Sequence, residues 1–488
     1  MAKPTMQTPK SGITVRMYNP GFGDCLLLAF RSKDAKPRYM LIDCGVHDKY
    51  PDRERKMQLI AKDIAGATGN RLHFVIATHE HTDHLYGFKY AREIFDKIKI
   101  DELWLAWTED PSNETAIQLK QLYGIALKAL RAAVHQLRLA NAPLTSSLQG
   151  LLDFDFPDDA LAADTGGNAA QLEYLRAKSK KKLLTSDDYR YPGETLALPN
   201  VKGIKVYILG PPMNVDWMKK LEKKSELYPE FLDMNQTTAF AAAALKAAGT
   251  LEDEELFVRS CPFDKVLMIS NEKASKMEFF KEHYGFTQET EHGSEWRRID
   301  VDWLVAAEQL ALDINSKTNN TSLVLAIELT KTKPRKVLLF AADAQVGNWL
   351  SWHELSWPGE KQDDEKVTVA DLLERTVLYK VGHHGSQNAT LSQKGLEMMK
   401  SKELVALIPV DQKWANEKMG WKHPAENLLS RIETKTRGRI IRTDDIPAGD
   451  KPPGKPNKAE ESEWQAFINQ LDWDRSPNRL WIQYTVLG

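Results

Sequence analysis

A chain of 488 residues allows about three domains at roughly 150 residues each, or one core carrying large insertions. Apolar residues make up 42%, enough to bury a substantial core and too many for a disordered chain. Lys plus Arg (66) almost balances Asp plus Glu (68), which excludes a global basic field for gripping nucleic acid and leaves only a local patch for that role. In chain order, residues 13–18 (ITVRMY) alternate like a strand, and 19–24 (NPGFGD) supply a turn. Residues 25–30 (CLLLAF) and 38–43 (RYMLID) are short apolar runs bounded by turn residues, as expected of strands buried in a sheet sandwich. Residues 57–67 have helical spacing, with Met57, Ile60, Ala61 and Ile64 on one face, and 74–78 (FVIAT) form another apolar strand.

Beyond residues 104–107 (WLAW) the texture changes. Residues 113–141 predict a long amphipathic helix with Leu119, Leu122, Leu127, Leu130, Val134 and Leu137 on its buried face. Small and polar residues dominate 142–186, so 113–198 is expected to be a helical insertion after a core segment at 1–112. Residues 201–209 (VKGIKVYIL) predict a core strand within 199–212, and 213–310, with a strongly helical stretch at 239–248, a second helical insertion. The core resumes over 311–488, with strands at 322–329, 337–341, 376–381, 404–410 and 480–486 and a Pro/Gly/Lys-rich loop at 448–463. Three cysteines without CxxC spacing (Cys25, Cys44, Cys261) exclude a disulfide framework and a cysteine zinc finger, and fit a reducing compartment. Residues 1–12 lack the apolar region of a secretory signal, and no run approaches the roughly 18 apolar residues of a membrane span. The expectation is a cytoplasmic protein with no membrane partner.

The chemistry concentrates where the strand at 74–78 ends. His79, His81, Asp83 and His84 follow it within six residues. Side chains alternate along a strand, so His79 and His81 point the same way, with Asp83 and His84 on the turn beyond. Two neighbouring metal ions are served by this spacing, one by the first histidine pair and one by Asp83 and His84. Imidazole and carboxylate ligands suit zinc, with manganese and iron as other candidates.

The pattern H-x-H-x-D-H resembles the signature of the metallo-β-lactamase superfamily. Residues 21–25 (GFGDC), 41–45 (LIDCG), 319–324 (NNTSLV), 340–344 (FAADA), 381–386 (VGHHGS) and 421–424 (WKHP) follow in that family's order. Within it the chain looks most like the hydrolase domain of bacterial DNA-uptake channel proteins and related soluble phosphodiesterases. The resemblance implies an α/β fold, a four-layer αβ/βα sandwich interrupted by the two mostly helical insertions. It implies that His79 and His81 bind one metal, Asp83 and His84 the second, with Asp343 bridging, His423 completing the second site and Asp43 supporting it from behind. It also implies that His383 and His384 face the substrate phosphate. One departure stands out: no histidine lies between His292 and Asp343, and Asn319 and Asn320 occupy the stretch where many relatives carry a further ligand.

Two cations about 3.5–4 Å apart ionise a water between them and polarise a phosphoryl or carbonyl oxygen. Asp83 then orients the hydroxide, while His383 and His384 donate to the substrate, so no Ser or Cys nucleophile is needed. A phosphodiester, in nucleic acid or a nucleotide, gains most from such a centre. The alternatives are a lactone, lactam or thioester substrate, or a non-catalytic binding or effector module with a vestigial metal site. Arg176, Lys178, Lys180, Lys181, Lys182 and Arg190, with Tyr189 and Tyr191, form a basic strip that reads more readily as a solvated loop than as a phosphate track. Trp349, Trp352, Trp357, Trp414 and Trp421 are expected to fill the core more than to stack on a base.

Overall fold

The computed structural model describes residues 6–139, 167–218, 269, 271–284, 311–312, 314–358, 366–456 and 459–488. The chain divides into two compact units, one of Met1–Ile117, Leu152–Glu230 and Ser316–Gly488, the other of Gln118–Leu151 and Phe231–Asn315.

The larger unit holds two seven-stranded mixed sheets. The first contains β1 (Gly12–Tyr18), β2 (Cys25–Arg31), β3 (Pro37–Cys44), β4 (Arg71–Ile76) and β5 (Lys99–Trp104). The second contains β6 (Thr195–Ala197), β7 (Ile204–Gly210), β8 (Val324–Leu329) and β9 (Lys336–Phe340). After a small ribbon of β10 (Ser356–Trp357) and β11 (Val367–Thr368), the second sheet continues with β12 (Thr376–Lys380), β13 (Val405–Ile408) and β14 (Ile440–Arg442). The closing strands β15 (Leu471–Trp473) and β16 (Trp481–Leu487) return to the first sheet, giving the order β15-β16-β1-β2-β3-β4-β5. The second runs β14-β13-β12-β9-β8-β7-β6.

Period-two alternation explains why the strands read as continuous apolar runs. Leu26, Leu28 and Phe30 of the first sheet join one buried cluster with Val206, Ile208, Leu325 and Ile327 of the second. The intervening Leu27 and Ala29 join another cluster with Met57, Ile60 and Ile64 of the helix Arg53–Thr68. That helix packs on β4 and the helix Thr82–Tyr90 on β3, while Val346–Trp352 and Glu426–Thr436 cover the other sheet at β7 and at β13 and β14. The result is the expected four-layer αβ/βα sandwich.

β6 lies inside the stretch expected as the first insertion, yet it pairs antiparallel with β7 as the edge of the second sheet. Three residues are too few to show a strand period in the sequence. The described part of the second unit is helical: most of Glu114–Leu139, with Asn271–Ala274 and Glu278–Tyr284. Leu130 there is buried, whereas Leu122 is 62% exposed and does not lie on the buried face. The helix expected at 239–248 lies outside the described residues. Among the described residues no helix is long and apolar enough to cross a membrane.

Candidate metal centre

The side chains of the candidate centre come from chain segments that leave one edge of the two sheets. Asp24 precedes β2, Asp43 lies near the end of β3, and Thr78–His84 follow β4. Asp343 follows β9, and His383 and His384 follow β12. β3 runs parallel to β4, and β9 parallel to β12, so their carboxyl ends open on a common edge, where α/β folds usually place ligands. The backbone there is unusual. Asp43, Ala342, His383 and His384 all adopt left-handed conformations, with φ of 55°, 48°, 44° and 52°. Each costs of order 1–3 kcal/mol and persists only where its surroundings enforce it. At Gly45, a Cβ would sit 2.1 Å from the Asp83 carbonyl oxygen, so only glycine lets the β3 end approach the His/Asp segment this closely.

Asp83, His84, Asp343 and His384 converge, with one ligand atom from each lying within 4.8 Å of the others, and all four are fully buried. His84 Nδ1 donates to Asp43 Oδ2 at 2.7 Å, and His384 Nδ1 to the Pro409 carbonyl at 2.7 Å. Those partners only accept, so each ring carries its proton on Nδ1 and turns Nε2 inward. His84 Nε2 then lies 3.1 Å from Asp343 Oδ2, and His384 Nε2 lies 2.9 Å from Asp83 Oδ2. A lone pair facing a carboxylate at such a distance needs a proton or a metal cation between them. Burial disfavours charge on both rings, but the facing carboxylates outweigh it and raise both pKa values in the metal-free chain. Burial likewise opposes ionisation of Asp83 and Asp343, and the nearby His84 overcomes it, lowering both. Asp83 Oδ1 is buried without a hydrogen-bond partner. Inward lone pairs, ionised carboxylates and an orphaned carboxylate oxygen together fit a divalent cation.

Asp43 organises the group from behind. It accepts from the Thr78 N–H at 2.8 Å, from Thr78 Oγ1 at 2.7 Å and from His84. Because the Thr78 hydroxyl donates to Asp43, it accepts from His79 Nδ1, 3.1 Å away, which leaves His79 Nε2 as a lone pair. His79 is held neutral chiefly by burial, with His84 and His81 adding to the effect. Its Nε2 lies 3.0 Å from His81 Nδ1. Among the described residues, these two histidines join no group of three carriers at ligand spacing.

His423, expected to complete the second metal site, stands apart from this group of four. It is half-buried and outside the quartet, its ring 5.6 Å from His383 and 6.1 Å from Trp421. His384, expected to face the substrate, stands with Asp83, His84 and Asp343. The reason is local: successive left-handed residues in the turn after β12 send His384 over Asp83 and His383 along Asp343, with His383 Nε2 4.0 Å from Asp343 Oδ2. Asn320 does not face this group, since its side chain accepts from the N–H groups of Gln345 and Asn348, both at 3.2 Å, and holds the chain after Asp343. Asn319 is fully buried.

Three neighbours escaped sequence reasoning: Asp24, Lys380 and His47. Asp24 stands in a motif already singled out, whereas Lys380 is hidden in an apolar strand and His47 in a turn. His47 packs among Phe22, Trp414 and Trp421, with ring centroids 6.3, 5.1 and 5.5 Å away. The basic strip is tied into its own surroundings: Arg176 bonds Tyr189, Lys178 the Asp96 carbonyl, Lys182 the Ala177 carbonyl, and Arg190 pairs with Glu194. Of the five tryptophans, Trp349, Trp352, Trp357 and Trp414 are buried and Trp421 is half-buried.

These environments predict a stability maximum in the metal-free chain. Burial pushes His47 and His383 down to about 3, so below 6.5 the unfolded chain takes up protons that the folded chain refuses. Stability is therefore lost as pH falls from about 6.5 to about 3, by about 1.4 kcal/mol per unit for each such histidine. The raised pKa values of His84 and His384 act oppositely: their contribution is complete below 6.5 and lost as pH rises through the folded values. Thermal melts of metal-free protein across this range are expected to peak near neutrality, and added Zn2+ to remove the alkaline decline. A flat profile would contradict these placements.

Residues 19–190 match the model of the metallo-beta-lactamase superfamily, a span that carries Asp24, Asp43 and the whole segment from His79 to His84. No curated protein and no solved structure matches the chain. The matched superfamily consists mostly of metal-dependent hydrolases, and the buried His/Asp group accords with that chemistry.

Proposed function

We propose that the chain is a metal-dependent phosphodiesterase that uses two divalent ions, zinc or manganese, to cleave a phosphodiester bond in nucleic acid or a nucleotide. The observation that carries this reading is the convergence of Asp83 and His84 from one sheet with Asp343 and His384 from the other. Divalent cations at such a site ionise water and draw charge from a phosphoryl oxygen. The likeness of the 21–25, 340–344 and 381–386 segments to DNA-uptake hydrolases supports a phosphodiester over a carbonyl substrate.

The protein's own groups have separable tasks. Asp83 Oδ1, buried and lacking a hydrogen-bond partner, accepts a hydrogen bond from the attacking water and orients it. Asp43 fixes the ring orientation of His84 directly and of His79 through Thr78. His383 is neutral because of its burial, so it serves as a hydrogen-bond donor to a non-bridging phosphate oxygen rather than as a cation. The deeply buried setting limits competing water, which strengthens each of these contacts.

The test is a hydrolysis panel of bis-nitrophenyl phosphate, nitrocefin and an aryl lactone, run with chelator and with Zn2+ or Mn2+ restored. Turnover of the phosphodiester that EDTA abolishes and metal restores is expected. Preferential turnover of nitrocefin or the lactone favours the carbonyl reading, and a gently purified protein that holds no transition metal favours a binding or effector role.

A further inference from the structure

Behind the quartet, a buried charge joins the two sheets. Lys380 ends β12 and is only 1% exposed. Its ammonium pairs closely with the Asp24 carboxylate, donates to the Ala342 carbonyl at 3.0 Å and lies 3.5 Å from Asp343 Oδ1. Asp24 belongs to the turn before β2, in the other sheet, and is itself anchored to the His/Asp segment. Its N–H donates to the Asp83 carbonyl at 2.9 Å, and its own carbonyl accepts from the Gly45 N–H at 2.9 Å. A continuous path therefore runs from the Asp83 backbone through Asp24 and Lys380 to Asp343.

The path ends on a strained and divided group. Ala342, at φ 48°, is held because its carbonyl accepts from both Lys380 and the His383 N–H, the latter at 3.2 Å. Asp343 Oδ1 takes the His383 N–H at 3.1 Å and faces Lys380, whereas Oδ2 faces His84 Nε2. A carboxylate with one oxygen engaged in this way cannot rotate freely about its last bond.

We propose that Lys380 and Asp24 form a brace between the sheets that positions Asp343, directing Oδ2 alone toward a divalent cation and fixing its distance from Asp83 and His84. This rests on the reading of the quartet as a metal site. Both residues of the brace act through Asp343 and not on substrate, so both are positioning residues. A buried ion pair is a costly way to fill a core, and an apolar pair of similar volume often gives equal or better stability. The pair makes sense where geometry, rather than stability, is what it supplies.

The experiment measures Zn2+ affinity of the metal-stripped full chain by competition with a chromophoric chelator, together with the visible spectrum of the Co2+ form. The double variant Asp24→Asn/Lys380→Met removes both charges at nearly constant volume and avoids a lone buried ion. It is expected to melt close to wild type without metal, to bind Zn2+ about 10–100-fold more weakly, as when a group behind a metal ligand is lost, and to show an altered Co2+ spectrum. Wild-type affinity with an unchanged spectrum in the folded double variant overturns the brace. Should the double variant not fold, Asp24→Asn alone decides: it releases Lys380 onto Asp343, so affinity falls over the same range, and wild-type affinity there overturns the proposal. A wild-type chain with no Zn2+ affinity refutes the metal site itself, and the brace with it, an outcome distinct from failure of the variants alone.

Discussion

His384→Ala is expected to weaken Zn2+ binding by more than the roughly 10–100-fold that loss of a group behind a ligand costs, whereas His423→Ala leaves binding within a few-fold of wild type. The contrast follows from geometry. His384 is fully buried, has its Nδ1 fixed by the Pro409 carbonyl and aims Nε2 at Asp83, 2.9 Å away. Its removal takes away one member of the group of four and leaves the Asp83 carboxylate with one fewer partner for its buried charge. His423 is half-buried beside Trp421 and stands outside the group of four, so alanine there mainly trims an aromatic contact. Calorimetric titration of both variants with Zn2+, alongside metal content after gentle purification, checks the pair. Equal losses in the two variants, or a larger loss from His423→Ala, would give the late histidine the ligand role that its family resemblance implies and would place His384 on the substrate side.

These placements show what a sequence can and cannot carry. The cluster from His79 to His84 is legible because its histidines and aspartate lie within six residues of one another, directly after a strand whose apolar run is plain. Asp343 is legible for the same reason, closing the run 337–341. His383 and His384 are visible as a motif, but their directions are not, because alternation fails where two consecutive residues have positive φ. Lys380 is legible only as a lysine in an apolar strand. Its meaning depends on Asp24, more than 350 positions earlier and on the other sheet, and nothing local announces that pairing. Asn319 and Asn320 mark where a further histidine is missing, yet Asn320 turns out to hold the backbone after Asp343 rather than to replace a ligand. The layers of the fold came through well because both faces of each sheet are covered, which makes the strands apolar throughout. β6 did not, since a three-residue edge strand has no readable period.

His383→Ala is expected to lower kcat toward a phosphodiester by about 10²–10⁴-fold while Zn2+ content stays that of the wild type. The two readouts separate because His383 contributes to the centre in two distinct ways. Its backbone N–H donates to Asp343 Oδ1 at 3.1 Å, and this bond survives the substitution. Its ring lies 4.0 Å from Asp343 Oδ2 and 5.6 Å from the ring of half-buried His423, on the more open side of the quartet. Burial, only partly opposed by Asp343, pushes its pKa down to about 3, so the ring is neutral throughout the working range. Lowering the pH to 5 therefore does not switch on a cationic His383, and the acid limb of the rate profile must come from competition between protons and metal at His84 and His384, whose pKa values are raised by the facing carboxylates despite burial. His383→Gln, which keeps an N–H donor on a side chain of comparable reach, is expected to recover part of the lost rate. A His383→Ala enzyme that instead loses its metal would show that the turn after β12 is organised by this ring, and a variant with unchanged kcat would remove His383 from the reaction altogether.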